Sequence, residues 1–126
     1  MKKVFLSVAA GTTLLLTGAA FAASDSASGE AMAKCPPPAK PEIPNGRTAT
    51  EEQMLAAQKA VKTYQAENGK YTSCLASLEQ SWGDAATEEQ KAVIVIFHNR
   101  AIDEETGVAD LFNQAVRAFK GKNQGS

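Results

Sequence analysis

One pattern constrains this chain more than any other. Met54, Ala57, Val61, Tyr64, Asn68, Tyr71, Leu75, Leu78 and Trp82 follow one another at alternating steps of three and four, without a slip. Such steps return side chains to one face of a helix that turns every ~3.6 residues. A stripe this long and narrow is a seam for packing against another helix. Asn68 is its only polar member, and Gly69 follows it. Two readings stay open there: a local break, or a buried amide that fixes register across the seam. One helix with a weak point is the expectation.

The start of that helix is written in Thr50-Glu51-Glu52-Gln53. A Thr followed three residues later by Gln makes a capping box, and two acids in the first turn complement the helix dipole. Ser81-Trp82-Gly83-Asp84 ends the pattern, with Gly83 suited to a left-handed cap. Thr87-Glu88-Glu89-Gln90 then repeats the capping box ahead of a second apolar face: Val93, Phe97, Ala101, Val108, Phe112, Ala115 and Phe119. Val93-Ile94-Val95-Ile96-Phe97 is strand-like by propensity, but the cap and the downstream period outweigh it. Gly107 interrupts this face. The residues after the two TEEQ copies match poorly, so the repeat reads as capping chemistry rather than duplication.

The chain opens on Met1-Lys2-Lys3, an apolar run from Val4 to Leu16, and Ala20-Phe21-Ala22. That is the layout of a cleavable signal peptide, residues 1–22, cut after Ala22 with Ala23 as the next choice. The run is shorter than the ~20 apolar residues of a membrane span, and no Cys follows it for lipid attachment. The expected localisation is periplasmic, with no membrane anchor in the mature chain. Of 13 basic and 14 acidic residues, the cut removes Lys2 and Lys3 and leaves 11 against 14, a net charge of −3. A balance this acidic weighs against nucleic acid as a partner.

Residues 23–34 are small and polar, without periodicity, and read as a flexible leader. Cys35 to Pro44 holds five prolines in nine positions (36–44), which excludes helix and favours polyproline II. Pro44-Asn45-Gly46 reads as a turn in which Asn-Gly tolerates the left-handed conformation. Residues 35–120 form the expected helical domain, and 121–126 a disordered tail.

Two cysteines in a small exported chain imply a disulfide, here Cys35–Cys74. Thr50 to Cys74 spans ~36 Å of helix. Cys35 to Pro44 spans ~28 Å of polyproline II, so the arm can run back along the helix over Tyr64 and Tyr71. Closing this loop stabilises by about 3–4 kcal/mol in the chain-entropy model. The expected fold is all-α: an antiparallel two-helix hairpin with the proline-rich arm pinned across it. Two helices make a thin core, and dimerisation to a four-helix bundle is the alternative way to complete it.

Pro41-Glu42-Ile43-Pro44-Asn45-Gly46, then Met54, Val61, Tyr64, Tyr71 and Cys74-Leu75, then Phe112-Asn113 and Phe119, resemble a group of small uncharacterised exported proteobacterial proteins. These share a proline segment, a first helix ending in a Tyr and Cys pair, and a Phe-Asn second helix. The resemblance implies the fold and the compartment and brings no chemistry with it.

No catalytic constellation is legible. His98 is the only histidine, with Ile94 and Ile102 at the positions four away, so metal ligation is not expected. There is no C-x-x-C, glycine-rich phosphate loop or Ser-centred elbow. Asp103-Glu104-Glu105 reads as a solvated face. No cofactor is expected, and the chain is not read as an enzyme. The expected function is a non-enzymatic periplasmic interaction or scaffolding module that binds itself or another envelope protein. Ile94, Phe97, Ile102 and Leu111 are the expected interaction surface, because the second helix carries apolar residues off its main stripe. The alternative is a carrier of a small apolar ligand or peptide, with Tyr64, Tyr71 and Trp82 lining a groove.

Overall fold

The computed structural model describes residues 19–124, with side-chain surroundings from 26 to 122. The basic start and apolar run of the expected signal peptide lie outside the described residues, as do residues 125–126 of the expected tail. Three helices follow in order: α1 (Ala19–Lys34), α2 (Glu51–Trp82) and α3 (Glu88–Gln124). A 3₁₀ turn, Gly83–Ala85, joins the last two, and the described residues contain no strand.

Both long helices begin as their sequences dictate. The Thr50 hydroxyl accepts from the Gln53 amide at 3.1 Å, and the Gln53 side chain accepts from the Thr50 amide at 2.9 Å. Thr87 and Gln90 repeat the exchange at the same distances. Each box satisfies two amides that a helix start leaves without partners, a contribution of about 1 kcal/mol. α2 runs unbroken through Asn68-Gly69, and α3 through Gly107. At both glycines an added Cβ would meet open space, so nothing packs there to bend the helix. α2 stops at Gly83, whose φ of 58° and ψ of −143° suit glycine alone and whose N–H reaches the Glu79 carbonyl. The strand-like run Val93–Phe97 is helix, because its cap and burial override propensity.

The seam residues of α2 are the buried ones, from Met54 to Leu78. They meet α3 in three clusters. Leu75 and Leu78 pack with Val93, Ile94 and Ala101; Val61 and Tyr64 with Val108; Met54 with Ala49 and Ala115.

The expected flexible leader, 23–34, is instead part of α1. Ala27 and Ala31, one turn apart, are buried against the Tyr71, Leu75, Val93 and Ile94 cluster, and the Trp82 indole N–H donates to Glu30 at 3.3 Å. Alanine, serine and glycine differ too little in polarity to leave a visible period, so only the surface they dock on makes this a helix. The last residues also differ from expectation: α3 continues to Gln124.

Between α1 and α2 the arm, residues 36–45, has no regular hydrogen bonding. The Cys35–Cys74 disulfide fixes its start, with Cα atoms 5.7 Å apart. Pro38 lies beside Tyr71 and Pro41 beside Tyr64. Ile43 packs against the Val61, Tyr64 and Val108 cluster. The arm ends in a turn in which Asn45 accepts from the Arg47, Thr48 and Ala49 amides. Gly46 is buried, and among the described residues only Gly83 has positive φ. The left-handed conformation expected of Asn45-Gly46 is therefore not what glycine supplies. A Cβ at Gly46 would collide with the Ala115 carbonyl oxygen and lie 2.9 Å from the Phe119 nitrogen. Glycine is needed so that the turn can touch the α3 backbone.

Two outcomes follow. Gly46→Ala should destabilise by about 1–3 kcal/mol, the usual range for overpacking, read as a lower urea midpoint with an unchanged slope. Cys74→Ser should lower the thermal midpoint and raise hydrogen exchange in 35–49. Equal midpoints for oxidised and reduced protein would contradict this.

Candidate functional site

Midway along α2 the apolar seam gives way to a polar layer. Asn68 is 2% exposed. Its side-chain nitrogen donates to the Ala101 carbonyl at 3.0 Å and to a Glu105 carboxylate oxygen at 2.8 Å. Both amide protons are thereby used, and a charged acceptor makes the second bond the stronger. The buried amide thus spans α2 and α3 without breaking either, which is the register-fixing arrangement rather than a break. Glu104, one residue back, meets Lys40 of the arm at 3.9 Å. Both carboxylates are half-buried, so the acidic run is not the solvated face its composition suggests; only Asp103 is fully exposed.

Tyr64 and Tyr71 flank Asn68 in the seam and are buried. Burial raises the Tyr64 pKa above its ordinary value, and Glu104 and Glu105 push the same way. Burial also raises that of Tyr71, with the Arg100 charge opposing and Glu104 adding. The layer therefore keeps both phenols neutral. Arg100 itself lies over the Phe97 ring, 5.7 Å from its centre.

The expected groove residues do not line one groove. Tyr71 borders a recess of about 140 Å³ with Met32, Pro37, Pro38, Phe97 and Arg100. Tyr64 borders a separate cleft with Ala39 and Pro41. Trp82 borders neither, packing against the α1 cluster instead. The recess of about 140 Å³ is below the ~300 Å³ at which small-molecule sites begin, whereas the Tyr64 cleft, and a further recess that Tyr71 borders with Cys35 and Pro36, each measure about 380 Å³.

The expected interaction surface divides as well. Ile94 is 5% exposed and belongs to the core beneath α1. Phe97 is half-buried beside it. Ile102 and Leu111 are exposed, at 47% and 54%, but nine residues is two and a half helical turns, so they point to opposite sides of α3. The polar layer explains part of this scatter, because it ties α3 to α2 through Ala101 and Glu105 and to the arm through Glu104.

Ile102 belongs to a seven-residue period that the sequence reading did not single out. Val95, Ile102, Ala109 and Val116 stand at steps of seven on α3, with Val95 57% exposed. Glu104, which meets the arm, is two residues from Ile102, or ~200° around the helix. Ile102 is thus on the flank the arm leaves free, while Val116, at the far end of the stripe, packs against the Ala49, Met54 and Ala115 cluster. Near Val116 the stripe opens into a groove of about 410 Å³ formed by Met54, Leu55, Phe112, Val116 and Phe119. The seven-residue step was present in the sequence but was hidden among neighbouring apolar residues. Which of them the arm and α1 would cover could not be read there.

His98 is exposed, and among the described residues no three His, Cys, Asp or Glu side chains are grouped to hold a metal. No described helix is long and apolar enough to cross a membrane. Comparison with protein-family models, with curated proteins and with solved structures found no match.

The tyrosine pair gives a pH signature. A phenol with a raised folded pKa contributes stability that is whole below its unfolded value of about 10 and is lost as pH rises through the folded value. Tyrosinate absorbance of the native protein should rise only above pH ~10, and in denaturant at about 10. Coincident native and denatured curves would contradict the burial of both rings.

Proposed function

We propose that this protein is a non-enzymatic helical interaction module of the periplasm. In this reading α2 and α3 form an antiparallel hairpin, braced on one side by α1 and the arm, and the free side packs against a helix of a partner. The observation that carries the proposal is the pair Val95 and Ile102, seven residues apart on α3 and 57% and 47% exposed. Apolar residues at steps of seven are the pattern of a helix seam, the same device that α2 uses for its own packing.

A second copy is the partner this geometry favours. Two such hairpins joined through their free flanks make a four-helix bundle and thicken a core that is thin in one copy. A helix of another envelope protein would use the same surface. The disulfide agrees with an oxidising compartment and so with the exported location expected from the first 22 residues.

A second reading, a carrier of a small apolar ligand or peptide, rests on the groove beside Leu55. Its volume of about 410 Å³ falls within the ~300–1,000 Å³ of small-molecule sites.

Ile102→Glu places a charge in the centre of the stripe without touching the core. It should abolish self-association in light scattering and capture of an envelope partner in a cross-linked pull-down, while helicity by circular dichroism is unchanged. Association that survives the substitution would overturn the proposal. Loss of association in Leu55→Glu but not in Ile102→Glu would move the contact into the groove.

A further inference from the structure

The turn that Gly46 presses onto α3 does more than close the arm. It carries Arg47 to the end of α3, where Arg47, Arg117 and Lys122 border one open recess of about 500 Å³ with Ala118 and Gly121. No carboxylate lines it. Among the described residues the ion pairs are Lys40–Glu104 and Lys91–Glu88, so none of these three cations is neutralised by a described acid. Residues from Ala23 onward carry a net charge of −3 (11 basic, 14 acidic), and this corner is basic against that balance. Like charges held together without a counter-charge repel, a cost that a bound anion removes.

The backbone beneath these side chains is fixed. The Arg47 amide donates to the Asn45 side chain at 3.0 Å. Gly46 meets the Ala115 carbonyl and the Phe119 nitrogen of the helix that bears Arg117. The Lys122 ammonium donates to the Ala49 carbonyl at 2.6 Å and sits 4.8 Å from the centre of the Phe119 ring. Arg47 and Arg117, 70 residues apart, therefore border one space with Lys122, whose ammonium is tethered at its edge.

We infer that this recess binds a phosphate group. Guanidinium forks match the oxygen geometry of phosphate, each giving paired N–H donors, and the ammonium adds a point charge. A free phosphate ester and the headgroup of an anionic lipid share this chemistry. The site is open to solvent, so binding weakens as salt is added. The recess is at the C-terminal end of α3, away from Val95 and Ile102, and its test does not depend on the association proposed above.

The purified, oxidised protein would be titrated with glycerol phosphate while backbone amide shifts of Arg47, Ala118, Gly121 and Lys122 are followed. In parallel it would be co-sedimented with phosphatidylcholine vesicles with and without phosphatidylglycerol. Saturable shifts at these amides support the site with a soluble ester as ligand. Retention on the phosphatidylglycerol vesicles alone supports it with a lipid headgroup as ligand. In either case Arg117→Glu and Arg47→Gln should each weaken binding roughly tenfold, a loss typical of one charge-assisted contact. Lys70→Glu, which alters an exposed cation outside the recess, should leave it unchanged. No saturable binding in either arm would overturn the inference, as would equal losses in Arg117→Glu and Lys70→Glu.

Discussion

The arm between Cys35 and Ala49 is held at both ends, and it decides how the rest of the molecule is arranged. At one end the Cys35–Cys74 bond ties it to α2. At the other, Gly46 lies against the α3 backbone where any side chain would collide. Between these points proline supplies stiffness, since a chain with few conformations to lose costs little to lay down. The arm thus bridges both long helices. It brings Lys40 to Glu104, sets Ile43 against the Val61, Tyr64 and Val108 cluster, and places Arg47 on a recess shared with Arg117.

The same constraint makes the two sides of α3 unequal. One side faces the arm and is filled with half-buried carboxylates, aromatic edges and prolines. The other keeps Val95 and Ile102 exposed. α1 adds to the imbalance by covering Ile94 and Val93 with two alanines and a tethered C-terminus. A helix of such small residues has little adhesion of its own, and the disulfide at its end supplies part of what packing does not. The exposed apolar surface is in this sense what remains after the chain has covered itself.

The polar layer at Asn68 is a second consequence of economy. A seam of apolar residues alone would let α2 and α3 slide by a turn at small cost. One buried amide with both protons committed across the seam makes every other register leave a polar group unpaired. Burial raises both tyrosine pKa values most, with Glu104 and Glu105 adding at Tyr64, and Glu104 adding and Arg100 opposing at Tyr71.

Much of this was legible in the sequence, and for local reasons. The α2 seam, both TEEQ caps, the stop at Gly83 and the Cys35–Cys74 pairing depend on residues a few positions apart or on a choice with one solution. The proline segment excluded helix by its own chemistry. What the sequence left undecided depends on distance in space. Residues 23–34 carry no period because alanine and serine hardly differ in polarity, and they are helical only because a surface receives them. Gly46 looked like a turn glycine and is a contact glycine, a distinction that exists only once α3 is in place. Ile94, Phe97, Ile102 and Leu111 were equivalent as letters and were sorted into core, edge and opposite faces by what the arm and α1 cover. Local order follows from backbone and side-chain chemistry within one or two turns, whereas exposure is a property of the assembled chain.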